Sequence, residues 1–315
     1  MQKSDATVRK PHLVIVTYYF PPMGGGGVQR VTKFLKYLDD RFWQVSVVTV
    51  KPSYFYSWDE SLLQDLPSGI RVFRTGSLDP FRVGYVLQSA LGRKPDSDRQ
   101  AARESSGLLR RLANGCFLPD SRLLWLPFLY DRLRKLHRQE PIDLLLCTVP
   151  PFTAGLAGAL AARKLGVKFV LDMRDAWTVN PYLPELTPFH RALQERLEGW
   201  CLSRATGVVF VNPGLANQYK SQRPWLCQKP TTVVRNGFDP DDFGQWPHPK
   251  PPPPLKIGIM GTIYSQGNRP LTLLQAVRCL KEEHPELARK LQLVFLGKWS
   301  PDFLRLLEGF QLQDV

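Results

Sequence analysis

Along the chain, short blocks of consecutive apolar residues alternate with longer segments whose apolar positions recur every three or four residues. The first block, HLVIVTYYF (His12 to Phe20), is rich in β-branched and aromatic residues and predicts a strand buried on both faces. It breaks at Pro21-Pro22 and four successive glycines, Gly24, Gly25, Gly26 and Gly27. VQRVTKFLKYL follows, placing Val28, Val31, Phe34, Leu35 and Leu38 on one helical stripe. QVSVVTV (Gln44 to Val50) is the next strand. Strand, glycine turn, helix and strand form the opening unit of a parallel, doubly wound sheet.

The same rhythm predicts strands at Ile70 to Arg74, Asp143 to Val149, Lys168 to Met173, Gly207 to Asn212 and Thr231 to Gly237. Helices are expected at Trp125 to His137, Thr153 to Gly166, Pro188 to Arg204 and Gly214 to Ser221. The polar run from Gly92 to Gly107 reads as a loop. PHPKPPPP (Pro247 to Pro254) cannot enter a helix or a central strand, so it reads as a linker. Beyond it come a strand (Leu255 to Gly261), a helix (Leu271 to Glu283), a strand (Leu291 to Gly297) and a helix (Pro301 to Phe310). The expected fold class is α/β with two Rossmann-like halves: residues 1–246, the linker 247–254, and a partial second half, 255–315. A single βαβα unit of that size buries little surface and is marginal alone, so it is expected to lean on the first half or on another chain.

Composition narrows the setting. A chain of 315 residues with 43% hydrophobic content can build substantial cores. Its apolar blocks are strand-sized, too short to span a bilayer, and the N-terminal MQKSDATVRKPHL lacks the apolar stretch of a signal peptide. Five dispersed cysteines without a CxxC pair read as reduced thiols, hence a cytoplasmic location. The net charge of +14 fits attraction to anionic lipid or to phosphorylated substrates, and equally a basic solvated surface with no such partner. Aromatic residues do not interleave with the basic ones as in RNA-binding signatures, which sets nucleic acid aside. Five isolated histidines show no HxH or HExxH pattern, so no metal is expected.

Four places carry candidate chemistry. The glycine run between a buried strand and a helix lets backbone N–H groups approach a ligand, and the helix adds the positive end of its dipole, which suits phosphate. The run spells neither GxGxxG nor a Walker lysine motif, so nucleotide hydrolysis is not indicated. LDMRDAW delivers Arg174 and Asp175 to the carboxyl edge of the sheet. Arg174 could hold a phosphate or carboxylate and Asp175 could accept from a sugar hydroxyl; an ion pair capping the next helix is the alternative. Asp172, inside the strand, reads as structural. VVRNGFDPDDF ends a strand in Asn236-Gly237, compatible with a site or with a simple turn. In IMGTIYSQGNRP, Gly261 and Thr262 end a strand and Arg269 precedes a helix, a second backbone cradle with a cation; Lys298 follows a strand end at Gly297.

Taken in order, YYFPPMGGGGVQRVTKFLKYL, LPDSRLLWLP, DLLLCTVPPFTAGLAGALAARKLG, FVLDMRDAW, ATGVVFVNPGL, TTVVRNGFDPDDF and IMGTIY resemble the retaining, GT-B-type glycosyltransferases of glycosyltransferase family 4. The resemblance covers nearly the whole chain. It implies transfer of a sugar from a nucleotide-sugar, bound mainly by the second half, to a glycan or lipid-linked acceptor bound mainly by the first, in bacterial exopolysaccharide or lipid-linked oligosaccharide synthesis. It implies that Gly24 to Gly27 face the reaction cleft, that Arg174 and Asp175 line its acceptor side, and that Gly261, Thr262 and Arg269 approach the donor diphosphate. Neither cofactor nor metal is implied, because N–H groups and cations balance the leaving phosphate. Asp175 is expected to position, not to attack.

The chain departs from the family in ending before the glutamate-containing segment that holds the donor and before the final helix. The expectation is therefore a shortened donor half, or a second chain that completes it. The alternative reading is a non-catalytic remnant that binds an acceptor lipid or a partner protein. A dinucleotide-binding Rossmann enzyme is disfavoured, because Val50-Lys51-Pro52 stands where an acidic residue would hold a ribose. The basic charge predicts peripheral association with the inner membrane face.

Overall fold

The computed structural model describes residues 9–52, 58–80, 82–83, 117–180, 187–244, 254–263, 269–310 and 312. The polar run from Gly92 to Gly107 and most of the proline-rich run lie outside the described residues. The chain divides into two compact units, Met1–Asp239 and Pro240–Val315.

The first unit contains β1 (His12–Val16), α1 (Gly26–Tyr37), β2 (Gln44–Val50), β3 (Arg71–Thr75), α2 (Leu126–Gln139), β4 (Leu144–Val149) and α3 (Thr153–Leu165). It continues with β5 (Lys168–Met173), α4 (Pro188–Arg204), β6 (Gly207–Phe210), α5 (Pro213–Gln222) and β7 (Thr231–Val233). All seven strands are parallel, in the order β3-β2-β1-β4-β5-β6-β7. The chain builds outward from β1 to β3, then restarts on the other side of β1 at β4. Ligands of open α/β sheets bind at the carboxyl end of such a reversal.

The β1 and β2 residues alternate between two cores. Val14, Val16, Val48 and Val50 pack with Leu129, Leu133, Ala157 and other residues of α2 to α5. Leu13, Ile15, Val45 and Val47 pack with Val31 and Leu35 of α1. The period-two alternation of a strand thus serves two helical layers at once, which is why Leu13 to Val16 of β1 are all apolar.

Regular pairing of β1 stops at Val16, four residues before the apolar run ends. Tyr18 and Phe20 remain buried, at 2% and 0% exposure, so their hydrophobicity reflects burial above the sheet edge and not strand pairing. Likewise β6 ends at Phe210 because Asn212 is taken as the cap of α5, its carboxamide oxygen accepting from the Leu215 N–H at 2.8 Å. Thr187 caps α4 in the same way, accepting from the His190 N–H.

Small residues let α3 lie close on the sheet. A Cβ at Gly158 would stand 2.7 Å from both Cys147 Sγ and the Phe169 ring. Gly166 closes α3 in the left-handed conformation, φ 71°.

The second unit contains β8 (Leu255–Ile263), α6 (Leu271–Glu283), α7 (Pro285–Ala288), β9 (Leu291–Trp299) and α8 (Pro301–Gly309). β8 and β9 pair in parallel, and Ile263, Leu274, Val277, Phe303 and Leu312 form the centre of its core. Gly261 and Gly297 oppose each other in the ladder with φ of 120° and 142°. A Cβ at Gly297 would collide with the Gly261 backbone, so this crossing admits only glycine.

Candidate active site

The carboxyl edge of the first sheet is assembled around the glycine turn. The Pro22 carbonyl accepts from the Asp59 N–H at 2.8 Å, and Met23 bridges to Trp58, so the approach to the turn is fixed by backbone. Gly25 takes φ 106° and precedes α1, which begins without a side-chain cap. A Cβ at Gly25 or Gly26 would meet no heavy atom within 4 Å. This end of α1 is therefore open: the Val28 N–H donates to the Gly25 carbonyl at 2.9 Å, and the Gly26 and Gly27 N–H groups lie ahead of that first bond.

The same edge carries a buried ion pair. Arg30, on the first turns of α1, donates to Asp172 of β5 through Nη2 at 2.7 Å and Nε at 3.1 Å. Both side chains are nearly sealed, at 3% and 1% exposure, so the charges are desolvated and depend on each other. Thr148 of β4 donates to the same carboxylate at 2.9 Å. Arg30 Nη1 donates to the Asn236 carboxamide oxygen at 3.0 Å, and the Phe34 ring lies 4.7 Å beneath the guanidinium. One arginine thus joins the glycine-turn helix, β5 and the segment after β7, and β4 is tied in through the shared Asp172 carboxylate.

Arg174, at the end of β5, is turned inward. Its Nη1 donates to the Gly27 carbonyl at 2.5 Å, its Nη2 to the Pro150 carbonyl and its Nε to the Val149 carbonyl at 3.4 Å. A Cβ at Gly27 would meet the Arg174 guanidinium and would displace it from its carbonyl partners. Burial lowers the pKa of this group, with Asp172 and Asp175 acting in opposition. Arg174 therefore braces the glycine turn against the β4–α3 loop.

Asp175 is exposed beside it, and among the described residues no hydrogen bond or ion pair engages its carboxylate. Gly24 to Gly27, Arg174, Asp175 and Asn236 are thus brought to one edge of one sheet.

A second buried cluster supports this edge. Tyr18 donates to Asp79 at 2.7 Å, Arg122 pairs with the same carboxylate, and the Arg122 guanidinium lies 5.1 Å from the Tyr18 ring centroid. Burial pushes the Tyr18 hydroxyl pKa up. Asp120 accepts from the Thr153 N–H at 3.0 Å and Thr153 Oγ1 at 2.9 Å, which holds the start of α3.

Sequence reasoning passed over Arg30, Thr148, Asp79 and Arg122. The signal for Arg30 was present: a carboxylate inside an apolar strand, Asp172, must find a buried cation. Arg30 is the first basic residue on the helix that follows the glycines.

In the second unit, Gly261 and Thr262 of β8 register with Gly297 and Lys298 of β9, near the carboxyl ends of both strands. Arg269 lies just before α6. These residues share the carboxyl edge of their own sheet.

A doubly wound parallel sheet with an open glycine turn at its reversal point places the chain in the GT-B-like class of α/β proteins. It belongs to the glycosyl transferase 4-like family, whose domain model matches residues 25–237, from the glycine turn to the Asn-Gly segment. Its activity class is accordingly glycosyl transfer. No curated protein sequence matches the chain. Among solved structures, it is similar to the trehalose-6-phosphate phosphatase N-terminal domain of Candida albicans, at 11% identity and a TM-score of 0.52, over 98% of this chain and 68% of that one. That likeness concerns the fold. UGT2 of Phytolacca americana, complexed with UDP-2fluoro-glucose and pterostilbene, aligns over 92% of this chain and 72% of its own, at 15% identity and a TM-score of 0.44. Among the described residues, no helix is long and apolar enough to cross a membrane.

Proposed function

We propose that the chain transfers a hexose from a nucleotide-sugar to a glycan or lipid-linked acceptor, with retention of anomeric configuration and without a metal or other cofactor. The observation that carries this reading is the family match, which begins in the open glycine turn that Arg174 braces. In the reaction, the bond from the sugar's anomeric carbon to the diphosphate oxygen breaks. A bond from that carbon to the acceptor oxygen forms on the same face, and the hydroxyl proton leaves with the departing diphosphate. The charge that develops on the leaving group calls for fixed donors, not for a nucleophile.

In this reading the N–H groups at the start of α1 supply such donors in the first unit. Gly261, Thr262, Arg269 and Lys298 supply them in the second. Asp175 accepts from the acceptor hydroxyl and orients it. The net charge of +14 draws the protein to an anionic leaflet, where a lipid-linked acceptor resides.

The test is incubation of the purified full chain with radiolabelled nucleotide-sugars and anionic membrane lipid, following nucleoside diphosphate release, lipid-bound label and the anomer formed. Transfer with retention is expected, and it should weaken as salt screens the membrane contact. A chain that binds no nucleotide-sugar yet still binds acceptor lipid would overturn the catalytic reading in favour of a binding protein.

A further inference from the structure

Outside the edge described above, Thr178, Val179 and Asn180 after β5 and the helices α4 and α5 line an open cavity of about 530 Å³. That volume falls within the roughly 300–1,000 Å³ of small-ligand sites. Its back wall is organised by Glu198 of α4, which is fully buried. This carboxylate accepts from the Thr178 N–H at 3.2 Å, Thr178 Oγ1 at 2.5 Å and the Tyr219 hydroxyl. Arg223 donates to it through Nη2 at 2.5 Å and sits 5.6 Å from the Tyr219 ring centroid. Arg223 also lines the cavity, so a guanidinium held in place from behind presents its front to the space.

The outer wall is polar and accessible. Gln218 and Gln222, one turn apart on α5, face the cavity opposite Glu195 of α4. Glu195 is paired with Arg191 at 3.2 Å, as Glu198 is with Arg223. Each guanidinium of the described lining is therefore already paired, Arg191 with Glu195 on the wall and Arg223 with Glu198 buried behind it. A phosphate or carboxylate would find both guanidinium charges already matched. Vicinal hydroxyls, by contrast, each donate and accept, and they suit carboxamides, a guanidinium edge and a carboxylate set around one space. None of these residues takes part in the glycine turn or the Arg30 network.

We infer that this cavity binds a neutral sugar ring, one saccharide unit of the glycan on which the enzyme acts. The inference rests on the glycosyl-transfer reading for its ligand class, yet it concerns binding alone and is tested without a nucleotide-sugar. The experiment is saturation-transfer NMR on the full chain with glucose, galactose, mannose and N-acetylglucosamine, and with glucuronate and inorganic phosphate as anionic probes. At least one neutral sugar should receive saturation. The Gln218→Ala/Gln222→Ala chain, checked for an unchanged Tm, should bind it about fivefold more weakly, the effect of losing one or two neutral hydrogen bonds. Should that double variant fail to fold, Gln222→Ala alone provides the same readout. Absence of a signal from every neutral sugar, preference for the anions, or undiminished binding by a folded variant would overturn the assignment. An active transferase with no neutral-sugar binding here would leave the catalytic reading standing and remove only this one.

Discussion

At the scale of single residues, the glycine turn separates two roles. Gly25 needs its positive φ and Gly27 needs the space that Arg174 occupies, but Gly26 is helical and open. Gly26→Ala should therefore stabilise the fold by about 0.4–1 kcal/mol through the unfolded chain, visible as a slightly higher Tm. It should also lower kcat/KM by about tenfold or more if this helix start serves the leaving diphosphate. A higher Tm with unchanged activity would assign Gly26 to the turn alone.

The Arg30–Asp172 pair gives a second contrast. Asp172→Asn leaves Arg30 without its counter-ion and should cost about 3–5 kcal/mol in denaturant unfolding. Arg30→Met/Asp172→Leu should recover much of that loss, because an apolar pair leaves no buried charge. Asn236 would lose its Arg30 contact in the double variant, so recovered stability with reduced transfer would separate folding from site geometry.

His12 sets a pH dependence. Its ring is buried on β1, with Nε2 2.9 Å from Ser46 Oγ, and burial lowers its pKa below the ordinary 6.5 although Glu140 opposes the shift. The unfolded chain then takes up a proton at higher pH than the folded one, so stability falls as pH drops through 6.5 and levels off only below the folded pKa. Denaturant midpoints from pH 8 downward should show this loss in the wild type and a smaller loss in His12→Gln. Equal slopes would contradict it.

At the scale of elements, what was legible followed from periodicity. β2 and β5, α4 and α6 occur within the limits that their apolar patterns set, because strands covered on both faces and striped helices leave unambiguous signals. The ends of β1, β6 and β7 were overextended. There the apolar or β-branched run continues for another reason, burial above the sheet for Tyr18 and Phe20, or a cap for Asn212. The candidate site was legible as a set of strand ends, but not as a network. Spacing along a chain cannot show that Arg174 turns back onto three carbonyls, nor that Arg30 reaches across to Asp172. The small-residue helix is the element most sensitive to change. Gly158→Ala should cost about 1–3 kcal/mol by overpacking against Cys147 and Phe169, whereas Gly199→Ala on α4, where a Cβ meets nothing within 4 Å, should not destabilise. Parallel thermal unfolding of the two chains measures the difference, and equal Tm values would refute the close packing of α3 on β4 and β5.

At the scale of the whole molecule, family, fold and charge point the same way. A seven-stranded doubly wound sheet supplies one carboxyl edge with an open helix start, and the second unit supplies another with paired glycines and cations. The basic surface adds a preference for anionic surroundings. The most direct measurement of the central claim is nucleoside diphosphate release by the full chain, from a panel of nucleotide-sugars, with and without acceptor lipid in anionic vesicles. Acceptor-stimulated release is expected for at least one donor, equal in amount to label transferred, and it should be lost in Gly25→Val, where a β-branched side chain cannot take φ 106°. Release that is absent for every donor, or that persists undiminished in a folded Gly25→Val chain, would contradict it.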